Sequence, residues 1–536
     1  VRPDRTREDV AMIARTLTQA LLDDAAFWRG KNVLLPRHDR RALPVRSLSF
    51  SAGRMAYGHS GDILQDLLAE HPDTGLMVGV ETHAARSVAE LAATDYLMTQ
   101  LIYEDARGAV TPKIQGAIQS VLFVDGNTAS LTWHRLMELA RDPRLQFATI
   151  NAPEGAYGMA YTGGTLAEPV SDAVKQDMRE GTVTSDAGKW TAFARERCVA
   201  GLPFAVVSCT NFSSNGHVTS AVFRTMAQAW EAAGFAPKGF VAYLTDPTRF
   251  AFPNAMIDRT AVAPDEQALA VLDRLGLRSP LVVTERTRYW VVEDCFPAGR
   301  PVFDRAEGVI LEASYAEVKK YEDMKIRLLN MENSTIGGLG VLLGYRGQYG
   351  VCRAMQDRDL LELMRRIMDI AIETMSAPRK MDPRAFARHA LARLSNPNIP
   401  DDPMRAALNG STKMLPRFLD TYFAGHARGL DPARLDLVLL PVAGFLRYTL
   451  GVDDHGTAYP LEDDPVKPLL AAAGARAALG DPGSAAAFAD LIACRTVMGA
   501  DLFGHGDTGN RLQALVGRML VGPGSVRRTL QAYLQG

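Results

Sequence analysis

Apolar positions in the first 310 residues recur in two rhythms. Residues 9–28 carry them at helical spacing, and RSLSFSAGRMAYGHSGDILQDLL (46–68) then reads as a strand, a glycine-bearing turn and a helix. Short continuous apolar runs follow: GLMVGVE (75–81), which ends on an acid, SVLFV (120–124), LQFATINA (145–152) and PFAVVSC (203–209). Such runs, alternating with helical segments, are what parallel strands need when crossover helices cover both faces of their sheet. The expectation is an α/β, Rossmann-like domain with a mostly parallel sheet over 1–310, including an N-terminal helical extension.

Beyond residue 310 the period changes, and 311–330, 355–375, 384–394, 413–424, 432–450, 465–479, 484–499 and 509–534 all read as helices. SAPRKMDP, SNPNIPDDP and GDPGS supply the breaks. A predominantly α-helical second domain is therefore expected over 311–536, with no fixed-period repeat.

Composition narrows the class. A chain of 536 residues with 47% hydrophobic content fills two large cores. Its 59 basic and 61 acidic side chains nearly cancel, and no basic block interleaved with aromatics appears, which argues against nucleic acid as a partner. Cys198, Cys209, Cys295, Cys352 and Cys494 are scattered without CxxC or Cys/His spacing. Neither a disulfide framework nor a structural zinc site is expected, and a reducing cytosol fits. The stretch VRPDRTREDV has no apolar signal core, and LDLVLLPVAGFL (436–447) contains a proline and is too short to span a bilayer. A cytoplasmic protein without a membrane segment is expected.

Two stretches carry candidate chemistry. The turn SAGRMAYG has Gly53 and Gly58 but no complete GxGxxG, so an ordinary βα turn fits it as well as a pyrophosphate cradle. Glu81 either accepts from ribose hydroxyls, disfavouring a 2′-phosphate, or simply closes its strand; Arg86 nearby leaves a phosphorylated cofactor open. In YEDMKIRLLN (321–330), Met324, Ile326, Leu328 and Leu329 supply a buried helical face. Lys325 then either snorkels to water or, desolvated against a pocket, becomes a general base, with Glu322 one turn earlier to relay the proton. No GxSxG elbow or P-loop is present. His217 reads as a loop or helix-start residue, and His455 and His505 lack a second histidine at ligand spacing, so no metal site is expected.

Six motifs in order, PEGAYG (153–158), SCTNFSSNG (208–216), FPNAMIDR (252–259), WVVEDCFPAGRP (290–301), YEDMKIRLLN and RAALNGSTK (405–413), make the chain resemble a known family. It is that of the polyol-specific long-chain dehydrogenases and reductases, which includes mannitol 2-dehydrogenase and fructuronate reductase. The resemblance covers about residues 75 to 420. It implies a metal-independent, NAD-dependent interconversion of a secondary alcohol of a polyol or sugar acid and the ketose or keto acid, with NADP not excluded. On this resemblance Lys325 matches the general base, while Asn211 and Asn330 match amides that hold the reacting oxygen. Asp258, Arg405 and Lys413 match contacts to the remaining substrate hydroxyls, and Glu154 and Glu322 match carboxylates that exchange protons with solvent. Ser51, Gly53, Met55 and Glu81 fall at cofactor positions.

The departures are equally specific. The family pattern K-x4-N-x2-H ends in Asn333, which donates a hydrogen bond but does not titrate near neutral pH. Met331 and Glu332 stand where a glycine and a small side chain are usual, Ser51-Ala52-Gly53-Arg54-Met55 replaces G-x-G-x-F, and Thr210 makes SCDN into SCTN. These changes point to an altered substrate. One alternative is a sugar acid whose carboxylate pairs with Arg405 or Lys413. Another is a catalytically impaired homologue that binds a sugar or nucleotide. A small-molecule substrate and a monomer or small homo-oligomer are expected.

Overall fold

In a computed structural model the chain divides into two compact units, Val1–Asp105 with Ala109–Val318, and Ala106–Gly108 with Lys319–Gly536. The structure describes residues 14–104, 108–211 and 213–535.

The first unit is built on a six-stranded sheet: β1 (Val45–Ser49), β2 (Leu76–Glu81), β3 (Ile118–Phe123), β4 (Phe147–Ile150), β5 (Phe204–Ser208) and β6 (Phe250–Ala251). The order is β6-β5-β4-β1-β2-β3, and every pairing is parallel. The chain direction of strand addition reverses between β1 and β4, the switch point at which such sheets open a crevice beyond their strand ends. Alternate residues feed two cores. Leu48, Val80, Ile150 and Val206 pack on one side with Trp190 and Trp230, while Met77, Phe147, Ala205 and Val207 pack on the other. Both faces are dry, which is why these strands read as continuous apolar runs.

After β1 the chain passes through a π-turn, Ala56–Gly61, into α1 (Asp62–Leu68). Two further helices, α2 (Asp186–Val199) and α3 (Asn215–Ala233), cover the sheet. Asp62 on α1 is wholly buried beneath Lys113 (2.5 Å), Arg288 (2.7 Å) and Arg259 (3.2 Å). Burial pushes its pKa up, but the charges of Lys113, Arg288 and Arg259 outweigh burial and hold the carboxyl well below the usual range.

The second unit begins within α4 (Tyr315–Lys325), at Lys319, and the helix runs on through a π-turn, Ile326–Asn330, into α5 (Met331–Thr335) and a second π-turn, Ile336–Gly340. Met331 N–H donates to Ile326 O and Val341 N–H to Ile336 O, each five residues back. Then follow α6 (Arg358–Thr374), α7 (Pro403–Ala407), α8 (Pro432–Tyr448), α9 (Thr508–Met519) and α10 (Ser525–Gln535). The glycines of IGGLG explain their own presence. A Cβ on Gly337 would lie 2.7 Å from the Ala406 carbonyl carbon, so only a bare Cα lets α7 approach this turn.

Several expected elements differ. Within 9–28 the described part forms a strand, Arg15–Thr16, and two short helices, Gln19–Leu22 and Ala25–Trp28, because Asp24 accepts from the Ala26 and Phe27 N–H groups and starts the helix anew; residues 9–13 lie outside the described part. The helix expected over 311–330 starts only at Tyr315, after a strand, Val309–Glu312. The segment 484–499 resolves into Pro482–Phe488, Ala489–Ile492 and Arg495–Met498. The stretch 509–534 is two helices, parted where Pro523 lacks an N–H and Gly524 takes φ +76°. A mixed sheet of Ala261–Val262, Leu281–Glu285, Met98–Tyr103 and Val110–Gln115 has no counterpart in the apolar rhythm. No described helix is long and apolar enough to cross a membrane.

Candidate active site

A cavity of about 610 Å³ opens at the carboxyl ends of β1, β2 and β4, lined among others by Ser51, Gly53, Glu81 and Asn151. That volume suits a small molecule or cofactor. A Cβ built on Gly53 would meet nothing within 4 Å. The helix start follows at once, since Ala56 N–H donates to Gly53 O at 3.0 Å, and first-turn N–H groups there suit an anion. Glu81 uses Oε1 to accept from the N–H groups of Thr82 (3.1 Å), His83 (3.1 Å) and Ala84 (3.3 Å), which leaves Oε2 for a ligand hydroxyl.

Asn151 is a member of this site that the sequence reading passed over. Its Nδ2 and Oδ1 are both buried without a partner, a costly arrangement that a ligand with a donor and an acceptor relieves. The only sequence signal is its place two residues before PEGAYG. Met55 sits in the first helical turn and is not among the lining residues. Arg86 is 94% exposed, pairs with Glu90 at 3.0 Å, and does not line the cavity either. A bare glycine at a helix start, a carboxylate oxygen after β2 and an orphaned amide after β4 together fit a nicotinamide dinucleotide.

Three of the motifs knit into one scaffold. Tyr157 of PEGAYG is hydrogen-bonded to Ser208 Oγ (2.8 Å) and Thr210 Oγ1 (3.1 Å), and Thr210 Oγ1 donates to Ala152 O (2.9 Å). Asn215 Nδ2 donates to Thr210 O (3.1 Å) and Ala255 O (2.6 Å), while its Oδ1 accepts from Ala255 N–H (2.9 Å). Gly216 N–H donates to Asn254 Oδ1 at 2.9 Å, and any Cβ at Gly216 would collide with the Phe252 carbonyl oxygen. This clip sets Asn211 just past β5, where it is exposed, and Asp258, which is buried, at the end of the strand Ala255–Asp258. Arg259 pins that strand end by donating to Glu285 O (2.7 Å) and Gly58 O (2.9 Å). Glu154 opens the turn Glu154–Tyr157 and is exposed.

In the second unit Lys325 ends α4 half-buried, and Glu322 lies buried one turn back. The π-turn separates Lys325 from Asn330. In an α-helix residues five apart point about 140° away from each other, whereas a ladder closed five residues back brings the fifth residue close to the face of the first. The local helix geometry thus turns Asn330 toward the face of Lys325. Asn330 is buried, and its carbonyl accepts from Arg417 Nη1 at 2.7 Å, which leaves its side-chain amide for other work. The same Nη1 donates to Ser334 Oγ at 2.7 Å.

Asn333 is half-buried with Oδ1 out of reach of solvent and without a partner. Its neighbour Glu332 is wholly buried, neither carboxyl oxygen has a partner, and burial pushes its pKa well above the usual range. Arg405 turns its fork onto Asp401, with Nε at 2.8 Å and Nη2 at 2.6 Å. Lys413 Nζ donates to Ala406 O at 3.0 Å and also to Leu408 O. Of the histidines, His217 packs edge-on to Tyr315 with ring centres 4.8 Å apart, His505 lies against Phe423, and His455 is exposed. Among the described residues no group of three or more His, Cys, Asp or Glu is gathered for a metal.

Comparison with known proteins adds the following. Residues 317–502 match the model of the mannitol dehydrogenase C-terminal domain. The chain is 30% identical to D-mannonate oxidoreductase of Thermotoga maritima, over 96% of this chain and 98% of that one. It is 31% identical to mannitol 2-dehydrogenase of Cereibacter sphaeroides, over 81% of this chain and 87% of that one. Among solved structures, Pseudomonas fluorescens mannitol 2-dehydrogenase in its ternary complex with NAD and D-mannitol superposes with a TM-score of 0.78 at 24% identity, covering 97% of this chain and all of the other, a likeness of fold.

Proposed function

Because the chain belongs to the mannitol dehydrogenase family of oxidoreductases, we propose that it interconverts a secondary alcohol of a polyol or sugar acid and the corresponding ketone with NAD(H), using Lys325 as general base. The observation that carries this reading is the π-turn that sets a lysine and an amide five residues apart toward one helical face. N-terminal residues hold the cofactor, and the helical C-terminal residues supply the base.

Ser51, Gly53 and the helix start after them would hold the pyrophosphate, with Met55 flanking, and Glu81 Oε2 would accept from ribose hydroxyls. Glu81 also repels a 2′-phosphate, and Arg86 is engaged with Glu90, so NAD is preferred to NADP. Bound there, the nicotinamide supplies the hydride acceptor. Lys325 takes the hydroxyl proton as the hydride leaves the same carbon, so alcohol becomes ketone with one proton released. Asn211 and Asn330 donate to the oxygen as charge gathers on it, and Asn333 adds a donor that keeps its charge state across the pH range. Glu322 and Glu154 pass the proton to solvent, and Asp258, Lys413 and Arg405 hold remaining hydroxyls. The setting is cytoplasmic.

The test is consumption of reduced nicotinamide against a panel of ketoses and keto-uronates, with NADH and NADPH, and Lys325→Ala as control. The expected result is turnover that prefers NADH and falls by about 10³-fold in the variant, whose cofactor affinity is unchanged. Silence across the panel with cofactor still bound replaces this reading with the non-catalytic homologue.

A further inference from the structure

Arg417 is a cation that the proposed reaction leaves without a task. It lies half-buried on the π-turn Leu415–Leu419 and spends one nitrogen, Nη1, on two neutral acceptors, Asn330 O and Ser334 Oγ. Its Nε and Nη2 make no hydrogen bond among the described residues, and no acidic side chain partners it. Burial with no opposing charge lowers its pKa to about 10, which still leaves a full guanidinium at neutral pH. Other arginines of the fold are settled differently. Arg405 is forked onto Asp401, Arg288 meets both Asp62 and Asp66 through Nη1, and Arg197, which lacks a carboxylate, covers its two terminal nitrogens with the carbonyls of Ala140, Asp142, Leu145 and Pro203.

An unspent Nε/Nη2 edge is the geometry that grips a carboxylate side-on with two parallel hydrogen bonds. Its anchor is the backbone of Asn330, the residue assigned to the reacting oxygen. The candidate expected from sequence for an anion, Arg405, already has its carboxylate in Asp401. We propose that Arg417 receives the carboxylate of a sugar-acid substrate, so that the chain acts on aldonates and keto-uronates in preference to neutral polyols. The inference rests on the reaction assigned above. The carboxylate takes no part in the chemistry: the secondary carbon gives up hydride and its hydroxyl the proton, and the acid group leaves as it came.

The experiment is calorimetric titration of the NAD-loaded protein with two matched pairs, D-mannonate against D-mannitol and D-gluconate against D-sorbitol. Each pair differs only by a carboxylate in place of a hydroxymethyl group. The wild type is expected to bind at least one acid about 10-fold or more tightly than its polyol. Arg417→Met should cost that acid about 100-fold, with polyol binding changed by less than about 3-fold, and Arg417→Lys should recover part of the loss. Wild-type protein that binds neither acid more tightly than its polyol overturns the inference, even if the variants do not fold. Equal loss for acid and polyol overturns it too, since that is what a residue merely positioning Asn330 produces. Acid preference that depends on Arg417 in a protein without turnover upholds Arg417 as the carboxylate site and overturns the reaction assigned above.

Discussion

Asp62 in the first unit and Glu332 in the second are both wholly buried carboxyl groups, and their surroundings differ by three cations. Lys113, Arg259 and Arg288 converge on Asp62, and their charges keep it ionised in a place where an isolated carboxylate does not survive. Among the described residues none offers Glu332 a hydrogen bond, and burial drives its carboxyl toward the protonated form instead. Asp62 ties the helix after β1 to strand ends elsewhere in its unit and serves the scaffold. Among the described residues Glu332 has no partner and Arg417 has only neutral ones, both in segments that carry the candidate substrate groups, and unsatisfied groups concentrate where a fold has given up stability for a site.

The largest effect expected from this contrast follows Asp62→Leu, which strands three cations: a loss of about 3–5 kcal/mol in denaturant unfolding. A loss under about 1 kcal/mol would break the comparison. Next is pH, where the two groups act with opposite signs. The folded pKa of Asp62 is depressed, so its contribution is whole above its usual value of 3.8 and is lost as pH falls through and below it. The folded pKa of Glu332 is raised, so above its usual 4.5 the folded chain holds a proton that the unfolded chain has released, and stability falls as pH rises. The stability gained by Glu332→Gln over wild type should therefore grow by about 1.4 kcal/mol per pH unit between pH 5 and the folded pKa. A difference that is flat with pH would mean that Glu332 is not held neutral. Smaller again, Glu332→Leu at pH 5, where little charge is involved, should stabilise by about 1 kcal/mol because an unpartnered polar group is removed. The smallest effect sharpens the contrast from outside it: Arg86→Ala breaks an exposed pair, should cost less than about 0.5 kcal/mol, and should leave the NADH to NADPH ratio unchanged.

The parallel sheet was legible in the sequence because strands dry on both faces leave unbroken apolar runs, and four of its six strands were read from them, with β1 given by the alternating stretch before Gly53. The two-residue β6 and the short mixed sheet leave too few positions for any period to register. Helix ends were legible where proline or glycine stops the chain, yet the break at Gly522-Pro523-Gly524 was read through because apolar spacing resumes in step beyond it. Candidate site residues followed from motif order, and so did the changed position at Asn333. Asp401, four residues before Arg405, was there to be read as its partner; nothing in the sequence tells that Arg417, four residues beyond Lys413, meets no acid among the described residues, because its partners Asn330 and Ser334 arrive only once distant segments pack. Asn151 escaped notice for the same reason. An asparagine after a strand is ordinary, and only the folded crevice reveals an amide with nothing to hold.

The π-turn Ile326–Asn330 finally says something about chain length. Such a turn contains one residue more than the α-turn it interrupts. Deleting a single residue from 326–329 lets the ladder close as an ordinary helix with Asn330 four positions after Lys325, about 40° round and still on its face, whereas inserting one that joins the ladder rotates everything from Asn330 onward by about 100° relative to Lys325. Base and amide would part company with every one of their atoms intact. The alignment is thus carried by a count of residues, and a screen that only exchanges side chains, holding length fixed, is blind to it.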